Sequence, residues 1–303
     1  MKRDKPSNTA LIVACGLQLV QPSALLAPLL PDDAMRHGAA LLNKLHPRMA
    51  GLLRKSWFRR VCGVLERATL SGISLHFALR KRVLREHALS AIGAGCRQVV
   101  VLGAGFDTLC AELVLAWPQL VCIEIDHPAT QAGKRRAAGE GAAAIHYIGV
   151  DLAQQPLAAV LAACPGYRPE LPTLFVAEGL LMYVPLEAVS QLLAQMALAS
   201  PDSHVAFTWL EPQADGAPNF ARRSRLVDFW LRLRGEPFVS SMRRAALRSY
   251  LAGAGLALKG VSDSIDLLDQ AARSALGPGG LPLGGEYICF ARASARHGAG
   301  RSV

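Results

Sequence analysis

Val99-Val-Val-Leu-Gly103-Ala-Gly105-Phe-Asp107-Thr108 is a short unbroken apolar run that enters a glycine turn and ends on an acid. A run of this kind, with Gln98 ahead of it, reads as a strand buried on both faces. The glycines carry no Cβ, so the backbone can turn tightly and approach a ligand, and the helix that follows offers free N–H groups at its start. The dinucleotide fingerprint G-x-G-x-x-G fails here. Thr108 stands where the third glycine belongs, and Asp107 puts negative charge where a pyrophosphate would lie. A cationic or zwitterionic ligand fits better. S-adenosyl-L-methionine, with an ammonium, a sulfonium and no phosphate, has that character.

Similar apolar runs follow at Leu120 to Ile125, Ile145 to Val150, Thr173 to Val176, Val205 to Trp209, Leu256 to Val261 and Tyr287 to Ala291. Helical stretches at Pro128 to Ala138, Pro156 to Ala163 and Leu186 to Leu198 separate several of them. The repetition predicts an α/β fold: a doubly wound, Rossmann-like sheet of seven strands, mostly parallel. The Gly- and Pro-rich stretch Gly277 to Gly285 holds no evident helix, so an antiparallel last strand is expected. Residues 8 to 92 show helical periodicity and no strand pattern. The organisation expected is one domain over 1–303: a helical N-terminal cover (1–92), a cofactor-binding core (93–210), a substrate-facing insertion (211–250) and C-terminal strands (251–303).

Acids recur at the carboxyl ends of the first four strands. Asp126, in Val121-Cys-Ile-Glu-Ile-Asp126, lies about twenty residues past the glycines, where a carboxylate accepts ribose hydroxyls; it is favoured over Glu124 for that role. Asp151 is placed to accept from an adenine amino group while Leu152 packs on the ring, with a helix N-cap as the competing reading of Asp151. Glu178 follows the fourth strand near the switch point, where open α/β sheets bind ligands. With Asp107, four strand ends each deliver a carboxylate.

The chain carries 33 Lys and Arg against 23 Asp and Glu, a formal charge of +10. That balance favours acidic partners without choosing among them. The seven scattered cysteines form no metal or disulfide framework and are expected as buried thiols in a reducing compartment. Ala10 to Cys15 imitates a secretory leader but is too short for one, and reads instead as part of a buried helix capped by Asn8 or Thr9. No stretch reaches the apolar length of a membrane span. A cytoplasmic protein with no membrane partner and no metal is expected.

The sequence resembles the leucine carboxyl methyltransferase family, including bacterial members described as O-methyltransferases of small molecules. The resemblance rests on Gln98 to Thr108, Glu124-Ile-Asp-His-Pro128 with Lys134-Arg135, Asp151-Leu152 and Ala177-Glu-Gly-Leu-Leu-Met-Tyr-Val-Pro185. Asn8-Thr-Ala10, Pro31-Asp-Asp33 and Phe77-Ala-Leu-Arg80-Lys-Arg extend it toward the N-terminus. It implies methylation of a carboxylate by S-adenosyl-L-methionine, with cofactor contacts at Arg80, Gly103, Asp126, Asp151, Leu152 and Glu178. The family's arginine after the first-strand motif is absent, because Leu109 follows Thr108.

A carboxylate acceptor is already ionised at neutral pH and needs no base. Arg80 is the candidate anchor for a carboxylate and Tyr183 the candidate hydrogen-bonding group at the reacting end. A hydroxyl, nitrogen or nucleic-acid acceptor is the alternative; for a hydroxyl, His76, His127, His146 and His204 are the bases on offer. The basic stretches, among them Arg54-Lys55, Arg59-Arg60 and Arg222-Arg223, are dispersed and belong to no nucleic-acid module, so a small-molecule or peptide carboxylate is the expected substrate and nucleic acid is not.

Overall fold

A computed structural model describes residues 7–20, 26–138, 142–221, 229, 232–233 and 235–294. Five helices come first: α1 (Asn8–Leu19), α2 (Asp32–Leu45), α3 (Pro47–Leu53), α4 (Ser56–Thr69) and α5 (Ile73–Gly93). Strands and helices then alternate: β1 (Gln98–Leu102), α6 (Leu109–Ala116), β2 (Val121–Asp126), α7 (Pro128–Ala137), β3 (Ile145–Gly149), α8 (Leu157–Ala162), β4 (Thr173–Ala177), α9 (Leu186–Leu198) and β5 (Ser203–Leu210). After the segment that follows β5 come α10 (Arg244–Gly253), β6 (Leu256–Ser262), α11 (Gln270–Gly280) and β7 (Glu286–Ala293).

The seven strands form one sheet in the order β3-β2-β1-β4-β5-β7-β6. β1 pairs in parallel with β2 and β4, β2 with β3, and β4 with β5. β7 runs antiparallel to both β5 and β6. The expected topology is therefore the observed one, with the switch point between β1 and β4.

Both faces of the sheet are covered, which is why its central strands are apolar without alternation. Every residue of β1 and β4 is buried. Val100, Leu102, Ile123, Ile125, Phe175 and Phe207 pack on one side against α8, α9 and α10. Val99, Val101, Cys122, Leu174 and Val176 pack on the other with α5 and α6. Each such side chain contributes roughly 1.5–3 kcal/mol of transfer free energy, before the entropy of ordering the chain is subtracted.

Two local expectations change. Ser7, not Asn8 or Thr9, caps α1, its hydroxyl accepting from the Ala10 N–H at 3.2 Å. The Gly- and Pro-rich stretch before β7 is entered by a helix: α11 starts from Asp269, which accepts from the Ala272 N–H at 2.7 Å, and runs to Gly280 through a kink at Gly277. Five cysteines are buried, Cys15 and Cys62 are half-buried, and all seven are free thiols. No described helix is long and apolar enough to cross a membrane. Trp230, Arg222, Arg223 and Arg225 of the expected insertion lie outside the described residues.

Candidate functional site

The turn after β1 is held open by backbone geometry that only glycine adopts at ease. Gly103 and Gly105 have φ of 62° and 46°. A Cβ on Gly103 would lie 2.9 Å from the Leu180 side chain, and one on Gly105 would lie 3.0 Å from Ala10 of α1. The turn is therefore pressed between the loop after β4 and the first helix of the N-terminal cover.

β2 runs beside β1, and Asp126 at its end faces that turn. One carboxylate oxygen accepts from the Gly105 N–H and the other from the His127 N–H. Each oxygen keeps a further lone pair, so the carboxylate can still accept from a diol. Burial raises its pKa, despite the two N–H donors that oppose the shift. Glu124, two residues back, is wholly buried and paired with Lys134 of α7 at 2.6 Å. Asp126 stays outside that ion pair.

Asp107 starts α6: one oxygen accepts from the Thr108 N–H at 2.6 Å and the Leu109 N–H at 3.0 Å, and it also meets the Lys81 ammonium at 2.9 Å. Burial alone would raise Asp107, but Lys81 and Lys134 override it and hold the carboxyl below its usual range. Lys81 reaches Glu178 at 2.8 Å as well, and the neighbouring Arg80 grips the other Glu178 oxygen at 2.9 Å. Arg80 also meets Glu286 of β7 at 2.7 Å; Glu286 in turn meets His76 at 2.6 Å, whose other ring nitrogen is 2.8 Å from the Ser264 hydroxyl. Burial would raise Glu286, yet Arg80 and His76 bring it down to about 2. The same carboxylates keep the Arg80 guanidinium charged against its own burial.

The structure thus brings Arg80, Asp107 and Glu178 into one network and Gly105 with Asp126 into a second contact beside it. Asp151 stands apart at the end of β3: its oxygens accept from the Ala153 N–H at 3.0 Å and the Gln154 side chain at 3.1 Å, and Pro156, not Asp151, precedes α8. Leu152 packs on the core cluster beneath it. Tyr183 lies in the turn after β4, 5.3 Å from the Phe238 ring. Thr9 ties α1 across the crevice: its N–H at 3.1 Å, its hydroxyl, and the Asn8 N–H at 3.2 Å all donate to the buried Glu236 carboxylate.

Sequence reasoning named neither Lys81 nor Glu286 as site residues, and it left His76 as a spare base. Lys81 was visible only as a member of the basic triplet 80–82. The signal for it is that α5 is buried around nearly its whole circumference, so a cation beside Arg80 must also find a carboxylate.

The leucine carboxyl methyltransferase family model matches residues 31–197, which contain β1 to β4 and all four strand-end acids. A Mycolicibacterium gilvum protein named "Putative S-adenosyl-L-methionine-dependent methyltransferase" is 34% identical over 193 residues, covering 61% of this chain and 62% of the relative. A protein of the same name from Mycobacteroides abscessus is 37% identical over 137 residues, 43% of each chain. The chain therefore spans less than two thirds of the length of these relatives. Among solved structures, a DUF574 family protein from Streptomyces avermitilis shares the fold, with a TM-score of 0.58 at 17% identity over 85% of this chain and 97% of that one. With more than half of the chain matched, including the glycine turn and the acids around it, this protein belongs to the leucine carboxyl methyltransferase family.

Proposed function

We propose that the chain is an S-adenosyl-L-methionine-dependent methyltransferase that acts on a carboxylate of a small molecule or peptide C-terminus. The observation that carries this reading is that four adjacent strands each end in a carboxylate, three of which, Asp107, Asp126 and Glu178, lie at or beside a glycine turn that lacks a phosphate-binding signature.

The residues fit the cofactor. Four buried carboxylates, Asp107, Glu124, Glu178 and Glu286, pair with three cations, Arg80, Lys81 and Lys134, and beside them Asp126 accepts from backbone N–H groups, an acid excess suited to a ligand that brings positive charge. Asp126 would hold the ribose diol, Asp151 and Leu152 the adenine, and Gly103, Gly105 and Asp107 the amino-acid end, with Arg80 and Glu178 fixing its charges. The bound cofactor supplies an electrophilic methyl group. The protein's part is to orient the acceptor oxygen in line with that methyl and to exclude water, with α1, clasped by Glu236, as a cover.

A carboxylate acceptor needs no base, and three of the four candidate histidines are already engaged, while His146 is exposed on β3. His76 has both ring nitrogens engaged, by Glu286 and Ser264; His127 caps α7 through its ring; His204 pairs with Asp202 at 3.4 Å. Tyr183 is held protonated by burial and serves as a donor, not a base.

Calorimetric titration with S-adenosylhomocysteine tests the cofactor reading. Micromolar binding is the expected result, and no binding to the folded protein at millimolar ligand overturns it. A product released as methanol in mild base identifies an ester; a base-stable methyl product would move the acceptor to a hydroxyl or nitrogen.

A further inference from the structure

Most of the large apolar residues that the described fold leaves in water fall in two segments, and the more regular of the two is α4. This helix has no buried residue, and Trp57, Val61, Val64 and Leu65 are 58%, 47%, 56% and 58% exposed. Their spacing puts them on one helical face. The protein is met by one edge of this stripe and the flank beyond it: Phe58 packs beside Leu41, Leu42 and Leu53, and Glu66 accepts from the Ser74 hydroxyl at 2.5 Å. α4 is therefore amphipathic with its apolar stripe turned outward. A single exposed leucine needs no explanation, but a contiguous stripe marks a contact surface.

The charges say what covers it. Glu66, the only acid on α4, points inward, while Lys55, Arg60 and Arg67 are exposed beside the stripe. At the amino end of the helix, Arg48, Gly51, Leu52, Arg54 and Lys55 line a groove of about 530 Å³ that holds three cations and no acid. A symmetric contact with a second copy would set these cations against themselves. An anionic lipid surface answers both features, taking the apolar stripe below its headgroups and the cations among them, and tryptophan is favoured at that boundary.

We propose that α4 docks this protein on an anionic lipid bilayer, with Trp57, Val61, Val64 and Leu65 in the boundary between headgroups and acyl chains and the Arg48, Arg54 and Lys55 groove on lipid phosphate. The helix lies along the surface and spans nothing, so the lack of a membrane-crossing segment does not bear on it. Leu70, directly after α4, packs on the same small cluster as Tyr183. The inference stands apart from the methyl-transfer reading.

Co-sedimentation of the full chain with vesicles tests it. Binding is expected to vesicles of equal parts phosphatidylglycerol and phosphatidylcholine, to weaken as salt rises, and to be absent with phosphatidylcholine alone. Val64→Asp, and separately the pair Arg60→Glu and Arg67→Glu, are expected to weaken it by about tenfold or more, with melting temperature and S-adenosylhomocysteine affinity unchanged. Equal binding to both vesicles, or variants that bind like the wild type, overturns the proposal. So does a wild-type dimer in light scattering that Val64→Asp dissociates and that ignores lipid, which would assign the stripe to a second copy.

Discussion

β1 carries a polar cluster at each end, and the two obey opposite rules. At the amino end Gln98 is neutral and saturated: its amide donates to the Arg168 carbonyl at 2.6 Å and the Thr173 hydroxyl at 2.9 Å, and its carbonyl accepts from the Arg168 N–H at 2.7 Å. At the carboxyl end Arg80, Lys81, Asp107, Glu178 and Glu286 are all ionic, and all are buried or nearly so. A neutral cluster satisfies the backbone at little desolvation cost. An ionic one carries a heavy desolvation penalty, and its place at the carboxyl ends of the strands is the one the proposed cofactor site uses. On the proposed function, the difference separates a structural end of the sheet from a working one.

The contrast is broken most directly at Glu286. Glu286→Gln removes one of the two carboxylates that compensate a buried guanidinium, and unfolding by urea is expected to show a loss of about 3–5 kcal/mol. A loss no larger than that of Gln98→Ala would mean that the two ends are energetically alike. Asp126→Ala should cost about 10–100-fold in S-adenosylhomocysteine affinity, the equivalent of about 1.4–3 kcal/mol, with the unliganded melting temperature little changed. Unaltered affinity by calorimetry would remove the ribose assignment. Gln98→Ala should lower stability by about 1–3 kcal/mol, because it leaves the Arg168 N–H without its acceptor; its ligand affinity should match the wild type, which sharpens the division between the two ends.

The smallest effect is a slope. Burial raises Glu112 of α6, behind the glycine turn, from 4.5 to about 7, with Asp107 adding to the shift and the Thr108 hydroxyl opposing it. Between those values the folded protein keeps a proton that the unfolded chain has released. Its stability therefore declines as pH rises through that window, by at most about 1.4 kcal/mol per pH unit. Glu112→Gln should flatten that part of the stability profile, as read by urea unfolding at pH 5 and pH 7. A profile with unchanged slope would show that Arg85, 3.3 Å away, keeps the carboxylate ionised.

The strands were legible because a sheet covered on both faces demands unbroken apolar runs, and residues such as Val99 to Leu102 have no other economical reading. The acids at the strand ends were legible for a related reason: they interrupt those runs at matching places. What was hidden lies far apart in sequence. Glu286 meets Arg80 from 206 residues away, and His76 meets Glu286 across 210. No local pattern predicts such pairs, since a buried ion pair is a property of where the chain returns. The helix α11 was hidden differently: Gly277, Pro278 and Gly280 argue for a loop, and Asp269 as an N-cap with the burial of Ala272 outweighs them.

The clasp between α1 and Glu236 also sets an order in time. Asn8 leaves the ribosome 228 residues before the carboxylate that fastens it, an interval of roughly 10–45 s at ordinary rates of synthesis. Through that interval β1 to β4 can pair while the crevice they frame still lacks its fastened roof. α2 and α5 bury Ala14 and Leu17 of α1 well before that carboxylate exists, so the helix is seated early and its clasp to Glu236 is the contact that closes last.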